Sequence, residues 1–423
     1  MNKKNIKVAI IGGGASGLST AWLLEKDYDV TLFEERDVLG GHARTQQIQI
    51  GDKLIPIDTG FEFFSPRMFV HFDALLKYLK VPLAEHPLTY TFHRLDKEDV
   101  LSLPPFHNGM VYWKSLTPKN ISRMLQFLYF INRGKQVIES ENLDITLEQF
   151  ADSLYLTKSF KNEFLYPLLV AGWGQNINDF KKSSAYDILY WSVKNNFSAF
   201  KSLQWTEVVG GVKVYIDALA AQLTETKINL SSKVISLKPI ENQYELILQN
   251  GEKQIFDYII FSTSAGITAD ILQDVASSQY IRSKLSEIEY FKTTIAVHSD
   301  TSLMPKDKAY WSMANVRYDG VHSQLTIYKE WKSPEVPIFR SWVTYDKNLP
   351  KNLYAIEEYL HGKISPKTFT LKADIEKVQG NNNIWYAGVH TCGVDSHDTA
   401  ILSAIKIAQK LAPDSERLKV FNL

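Results

Sequence analysis

Six residues near the start, Gly12-Gly13-Gly14-Ala15-Ser16-Gly17, constrain this chain more than any other segment. They fit G-x-G-x-x-G and lie between a predicted strand, Lys7–Ile11, and a predicted helix, Ala15–Lys26. Val30–Glu34 reads as a second strand, so the chain opens β-α-β and a parallel sheet is expected. Gly12 permits the tight turn, Gly14 lets backbone approach a pyrophosphate, and Gly17 lets the helix pack closely on the strand. The helix N-terminus adds free N–H groups and a partial positive charge for the phosphates. Glu34 ends the second strand, at the distance expected for the acid that binds ribose hydroxyls. An acid there disfavours a 2′-phosphate and argues against NADP. The loop alone says dinucleotide and leaves NAD and FAD open.

A chain of 423 residues is too long for one ordinary core and suggests two domains with interleaved segments. From Pro66 to Trp205 the pattern turns helical. Phe69, Phe72, Leu75, Leu76 and Leu79 recur at helical spacing, and Asn120–Arg133, Thr146–Ser153, Lys158–Tyr166 and Ser184–Val193 read as helices. After Trp205 come a helix, Gly211–Leu223, and strands Val234–Leu237, Tyr244–Leu248 and Tyr258–Phe261. The β-rich runs Thr293–His298, Gln324–Tyr328 and Ile338–Thr344 suggest a second sheet. Ile384–Ala387 is the last strand and Thr399–Leu411 the last helix, with a loosely held tail at 413–423.

Lys plus Arg and Asp plus Glu balance at 47 each, so overall charge argues for no nucleic-acid or anionic-membrane partner, although local patches remain open. The one cysteine, Cys392, excludes an internal disulfide and fits a reducing compartment, so a cytoplasmic location is expected. Met1–Lys4 is basic, but the apolar run after it is short and turns glycine-rich, unlike a secretory signal. No run reaches the roughly 18 apolar residues of a membrane span. Peripheral membrane contact stays open.

Glu34 to Thr45 reads E-E-R-D-V-L-G-G-H-A-R-T. This resembles the FAD-binding amine-oxidase-like superfamily, which includes monoamine oxidases, protoporphyrinogen oxidase and carotenoid desaturases. Glu34, Arg36, Gly40 and Gly41 match its pattern of ribose acid, Arg and Gly-Gly-Arg loop. His42 stands where the superfamily usually has Arg, and Arg44 follows two residues on. Asp58-Thr59-Gly60-Phe61-Glu62-Phe63 is similar to its D-x-G-x-x-aromatic segment beside the flavin. Tyr386-Ala387-Gly388 and Ser396-His397-Asp398-Thr399-Ala400 are similar to its late motif, in which a helix N-terminus stabilises charge on reduced flavin. Gly210-Gly211 is similar to its mid-chain glycine pair, with Val234 near the adenine. Val297 to Asp300, Leu303 to Pro305 and Trp311 resemble a bacterial branch of NAD/FAD-binding proteins often associated with cyclopropane fatty acid synthesis.

The resemblance runs from Lys7 to about Leu411 and is weaker across Pro66–Trp205. It implies a Rossmann-like FAD-binding domain (1–65, 205–290, 375–412) interleaved with an α+β substrate domain (66–204, 291–374). It also implies cofactor contacts from Ala15, Ser16, Glu35, Ala43 and Val389. FAD would accept a hydride at N5 from a small molecule, apolar or amphipathic. Lys292 best matches the lysine that amine oxidases place near N5.

Phe63, Phe64, Trp173 and Trp191 are read either as cavity lining or as core. The helix Asn120–Arg133 is apolar around much of its circumference and reads as buried or as a lipid-facing entrance. His390, Cys392, Asp395, His397 and Asp398 are dense in ligand types but match no familiar zinc spacing, so no metal site is expected, and Cys392 reads as a packed thiol. Three functions stay open: an oxidase or desaturase, an amine oxidase proper, and a flavin-binding scaffold. The second lacks secure aromatic walls, since His390 and Val394 occupy the stretch that would supply them. The oligomeric state is left open.

Overall fold

The computed structural model describes residues 3–107, 110–195 and 203–422, so Met1 and Asn2 of the N-terminal segment lie outside it. The strands Lys7–Ile11, Asp29–Phe33, Tyr258–Phe261 and Ile384–Tyr386 are short apolar runs, buried almost throughout. Such runs suit a sheet covered on both faces. They form a five-stranded parallel sheet in the order Lys227–Asn229, Asp29–Phe33, Lys7–Ile11, Tyr258–Phe261, Ile384–Tyr386. The helix Ala15–Leu24 is buried at every position and packs against the last helix, His397–Leu411. A small antiparallel sheet, Val234–Ile240, Gln243–Leu248 and Lys253–Phe256, stands beside this core.

A second large sheet has seven strands. Their order is Leu353–Gly362, Tyr290–His298, Phe339–Trp342, Ser323–Tyr328, Ala314–Tyr318, Tyr90–Arg94, Val100–Leu103. All neighbours are antiparallel except Ala314–Tyr318 with Tyr90–Arg94. The segment that reads as helical thus donates two strands to this sheet, and a third, Leu83–Leu88, pairs with Leu203–Val208. Tyr90–Arg94 and Leu83–Leu88 gain partners far along the chain, which local periodicity does not report, and Val100–Leu103 joins the sheet through Tyr90–Arg94. The edge strand Leu353–Gly362 buries only Tyr359 fully and carries Glu357 and Glu358, so it lacks the clean apolar alternation of a half-buried strand. The helix Pro366–Val378 also lies outside the sequence expectation.

The long helix Pro118–Glu139 begins where Thr117 accepts from the Asn120 N–H and Pro118 occupies the first turn. Thr146 and Gln149 form a reciprocal capping box on the next helix. These helices bury Phe127, Phe130 and Phe150, and the following turn Lys161–Leu165 buries Phe164, in one core with residues of the seven-stranded sheet.

The end of the chain differs from expectation. Glu416–Phe421 forms a 3-10 turn, and Leu418 and Phe421 are buried in the core around Trp22. Arg417 donates to the Trp22 carbonyl and pairs with Glu25 at 2.9 Å. Glu25 has no exposed side-chain surface. It also accepts from the N–H groups of Glu225 (3.0 Å) and Thr226 (3.1 Å). Burial alone would raise its pKa, but Glu225, Arg417 and Thr226 together hold it below the usual 4.5. A depressed folded pKa stabilises the fold above the unfolded value and loses that effect as pH falls. Arg417→Ala is therefore expected to lower unfolding free energy by about 2–3 kcal/mol at neutral pH. The deficit should shrink below about pH 4.5 in urea titrations across pH.

Candidate active site

The nucleotide end is built from backbone. Gly12 sits at φ +107°, and a Cβ there would lie 2.7 Å from the Ser262 carbonyl oxygen. A Cβ on Gly17 would lie 1.9 Å from the Gly12 oxygen, so only glycine lets the first helix close on the loop. Ala15 and Ser16 are buried in that first turn. Glu34 is pinned by two N–H donors, Gly13 at 2.7 Å and Arg36 at 3.0 Å. Glu35 is exposed and pairs loosely with Lys233 at 3.7 Å. Ser231 and Ser232 bond back to the Arg36 and Glu34 carbonyls, which brings buried Val234 close to this acid.

Across from Gly14 stands the second glycine pair. Gly40 and Gly41 both have positive φ, and Gly14 and Gly40 form an isolated bridge. A Cβ on Gly41 would meet the Gly14 Cα at 3.3 Å. Two backbone surfaces without side chains thus face each other at the mouth of a helix, a cradle that any Cβ would fill. That geometry fits a pyrophosphate. Ala43 is buried and its N–H closes the turn onto the Gly40 carbonyl.

Gly60 lies against the same loop. A Cβ there would come within 1.9 Å of the His42 carbonyl oxygen, and Phe61 N–H donates to that oxygen at 3.0 Å. Asp58 accepts from Val212 N–H (3.0 Å) and Thr45 Oγ1 (2.5 Å), which ties this segment to the Gly210-Gly211 turn. The His42 ring lies near Leu360 O (3.2 Å) and packs beside Tyr359 and His361. Desolvation by its neighbours, with Arg36 and Arg44 adding, lowers its pKa although the residue is exposed. Arg44 is engaged by Glu357 at 3.0 Å.

Phe61 stacks on His397 with centroids 4.0 Å apart, and His397 is hydrogen-bonded to Tyr215 at 2.7 Å. These contacts join the last helix to the Gly60 segment. Burial pushes the His397 imidazole down to about 3. Asp398 accepts from the His71 and Phe72 N–H groups, each at 2.8 Å, and meets His71 Nδ1 at 2.7 Å. Its carboxylate caps the helix Val70–Tyr78, whose own N-cap residue, Phe69, has no capping side chain. Thr399 N–H is capped by Ser396 Oγ, and Ala400 follows, buried in the first turn. Gly388 has φ +123° and donates to Ser403 Oγ, with Val389 half-buried after it.

Behind the Gly60 segment lies a charge cluster with no sequence signature. Lys329 has no exposed surface and contacts Glu62 directly. Arg340 donates to the Thr59 and Gly60 carbonyls at 2.8 and 2.7 Å and approaches Glu62 at 3.9 Å. Burial drives the Lys329 pKa well below the usual lysine range, and Arg340 adds to that. Burial brings Arg340 to about 10. Lys292 lies elsewhere. Strand alternation turns Thr293 inward, and Lys292, 55% exposed, pairs with Glu358 at 2.5 Å. The lysine that the fold buries beside Glu62 and Phe63 is Lys329, over the Phe63 ring at 4.6 Å.

Phe63 stacks on Trp205 at 5.3 Å and meets Trp331 edge-on at 6.2 Å. Glu207 Oε1 accepts from Trp331 Nε1 (2.8 Å) and lies 3.1 Å from both His86 Nε2 and Lys332 Nζ. Phe64 is fully buried in the nucleotide-side core. Trp173 and Trp191 pack at the edges of two core clusters.

A pinned acid at the end of the second strand, two facing glycine loops and a late helix joined to the Gly60 segment fit one class: an FAD-binding oxidoreductase fold. Residues 15–299 match the flavin containing amine oxidoreductases, and the chain belongs to that family. Its cofactor is FAD. A mutant putrescine oxidase superposes with TM-score 0.70 at 13% identity, covering 96% of this chain and 99% of that one. A fatty acid isomerase from P. acnes that produces CLA gives TM-score 0.67 at 14% identity, covering 96% and 99%. An uncharacterized protein of Acanthamoeba polyphaga mimivirus is 32% identical over 83 residues, which is 19% of this chain and only 16% of that protein.

Two outcomes follow. Gly60→Ala is expected to cut FAD retention at least tenfold, read as flavin absorbance per protein, because its Cβ displaces the His42 carbonyl. Lys329→Met should cost about 3–5 kcal/mol by leaving Glu62 with Arg340 alone, 3.9 Å away, and adding Glu62→Leu should restore much of it. Equal stability of Lys329→Met and wild type in denaturant titration would rule out the pairing.

Proposed function

We propose that this chain oxidises or desaturates an apolar or amphipathic small molecule. The observation that carries this reading is the wall of Phe63, Trp205 and Trp331 beside the Gly60 segment, closed at one end by Glu207, His86 and Lys332. An apolar wall with one polar end suits a substrate with an apolar body and a polar head. Bound FAD supplies the two-electron acceptor. Glu34 holds the ribose, and the N–H groups around Gly14 and Gly41 hold the pyrophosphate. Further cofactor contacts come from Gly12, Gly17, Arg36, Gly388 and Thr399. The aromatic wall excludes water, and Arg340 holds the Thr59 and Gly60 carbonyls from behind while Lys329 lies over the Phe63 ring. The division into a nucleotide part (1–65, 205–290, 375–412) and a substrate part (66–204, 291–374), in a cytoplasmic protein, belongs to this reading.

An amine substrate is the second reading, and one buried acid favours it. Asp187 is fully buried, and neither carboxylate oxygen has a hydrogen-bond partner of good geometry. Burial raises it to about 6, with Lys372 opposing and Asp395 reinforcing the shift. Buried Asp187, with half-buried Asp395 near it, complements a cation, the role Lys372 fills in part here.

The test is anaerobic titration of the FAD-loaded protein with fatty acyl compounds, polyenes and amines, followed by bleaching of the flavin band. Bleaching by an acyl compound or polyene is the expected result. Bleaching by amines alone would transfer the function to the second reading. A flavin that no class reduces would leave a binding scaffold.

A further inference from the structure

The helix Pro118–Glu139 hides one face and displays another. Met124, Phe127, Phe130 and Ile131 are buried in the core, whereas Ile121, Leu125 and Tyr129 are exposed at successive i, i+4 positions. These three form a stripe along two helical turns. The chain entering the helix extends the stripe, with Trp113 73% exposed and Met110 49% exposed. Tyr155, 97% exposed, sits in the loop that Thr157 N–H ties to Gln126 at 2.8 Å. A contiguous apolar surface rich in Trp and Tyr is uncommon on a protein that meets only water.

The charges beside this stripe identify its partner. Lys114 N–H donates to the Tyr310 hydroxyl, which sets the short turn Lys308–Tyr310 next to Trp113. Lys114, Lys119, Lys306 and Lys308 are exposed around that contact. Lys119 pairs with Asp99, but the buried Arg123 already neutralises that acid. Lys114 and Lys308 lie over the rings of Tyr310 and Trp311. Two acids nearby, Glu98 and Asp307, are without a basic partner among the described residues, so the rim is net positive. A chain whose overall charge is zero thus concentrates lysines beside its exposed Trp and Tyr.

We propose that this face docks on an anionic phospholipid bilayer, with the first half of the helix lying in the headgroup plane. The apolar stripe enters the boundary between headgroups and acyl chains, Trp113 and Tyr129 sit at headgroup level, and the lysines meet lipid phosphates. The helix does not span: among the described residues no helix is long and apolar enough to cross a membrane. The docking stands independently of which substrate reduces the flavin.

The test is cosedimentation of the FAD-loaded full chain with vesicles of phosphatidylcholine, alone or with about 30% phosphatidylglycerol. Binding is expected only to the anionic vesicles and should fall at least tenfold at about 0.5 M salt. Leu125→Asp with Trp113→Asp should remove at least tenfold of that binding while flavin absorbance is unchanged. Both side chains are on the outside, so the fold is not at risk. Lys114→Glu with Lys308→Glu provides an independent arm that leaves the apolar stripe intact, and it should weaken binding by roughly fivefold or more per lysine. Equal sedimentation with and without anionic lipid would overturn the proposal. So would light scattering that shows a dimer broken by Leu125→Asp in a protein that ignores vesicles, since the face would then join two copies.

Discussion

The contact between Gly60 and the His42 carbonyl is the constraint from which the rest of the site follows. It brings the D-x-G segment and the second glycine loop into backbone contact, with no room for a methyl group. Phe61 N–H then bonds the same carbonyl, which sets where the Phe61 ring can stack. His397 takes the other side of that stack, and so the last helix is placed relative to a loop that lies far from it along the chain. Asp58, two residues before Gly60, anchors the mid-chain Gly-Gly turn in the same way. A single close approach of two backbones therefore gathers three separate segments. Side-chain packing alone would hold them less sharply, because rotamers relax where carbonyl positions do not.

Holding that contact requires the carbonyls of Thr59 and Gly60 to be satisfied from behind, and Arg340 does this with one nitrogen at hydrogen-bond distance from both. A guanidinium in that position needs a counter-charge in a region closed to water. Glu62 lies 3.9 Å away and also contacts Lys329. Removing each ion from water costs several kcal/mol. Two basic groups share one carboxylate, and burial, with Arg340 beside it, drives the Lys329 pKa down. The cluster is therefore weakly justified as a source of stability. It is better justified as a source of position, because Arg340 fixes the carbonyls of Thr59 and Gly60.

The elements that were legible in the sequence are those whose signal is local. The Gly12–Gly17 loop, Glu34 and the buried apolar strands around them declare themselves within about 30 residues, the span of a βαβ unit. The helix beginning at Pro118 was legible for the same reason. Tyr90–Arg94 and Val100–Leu103 were not, because they become strands only by pairing with Ala314–Tyr318 and with each other. Lys329 was invisible for a related reason. Its neighbours Tyr328 and Glu330 suggest an exposed strand end, and only the folded sheet carries it over Phe63. The tail read as loose because it follows a proline and is charged, yet Arg417 finds a buried carboxylate, and Leu418 and Phe421 find the first helix.

His42 shows how the family pattern and the physics of this chain meet. An arginine at this position would bring a permanent positive charge to a pyrophosphate. Here the imidazole stays exposed, packs beside Tyr359 and His361, and has its pKa lowered by desolvation and by Arg36 and Arg44. The other nearby cation, Arg44, is committed to Glu357. The N–H groups of the two glycine loops and the partial charge at the start of the first helix would then carry much of the counter-charge to a phosphate, beside Arg36. Those dipoles are fixed by the fold and need no side-chain ordering on binding. That leaves the cofactor dependent on loop geometry more than on ion pairing, which is why the tightest backbone contacts in the site fall at Gly17 and Gly60.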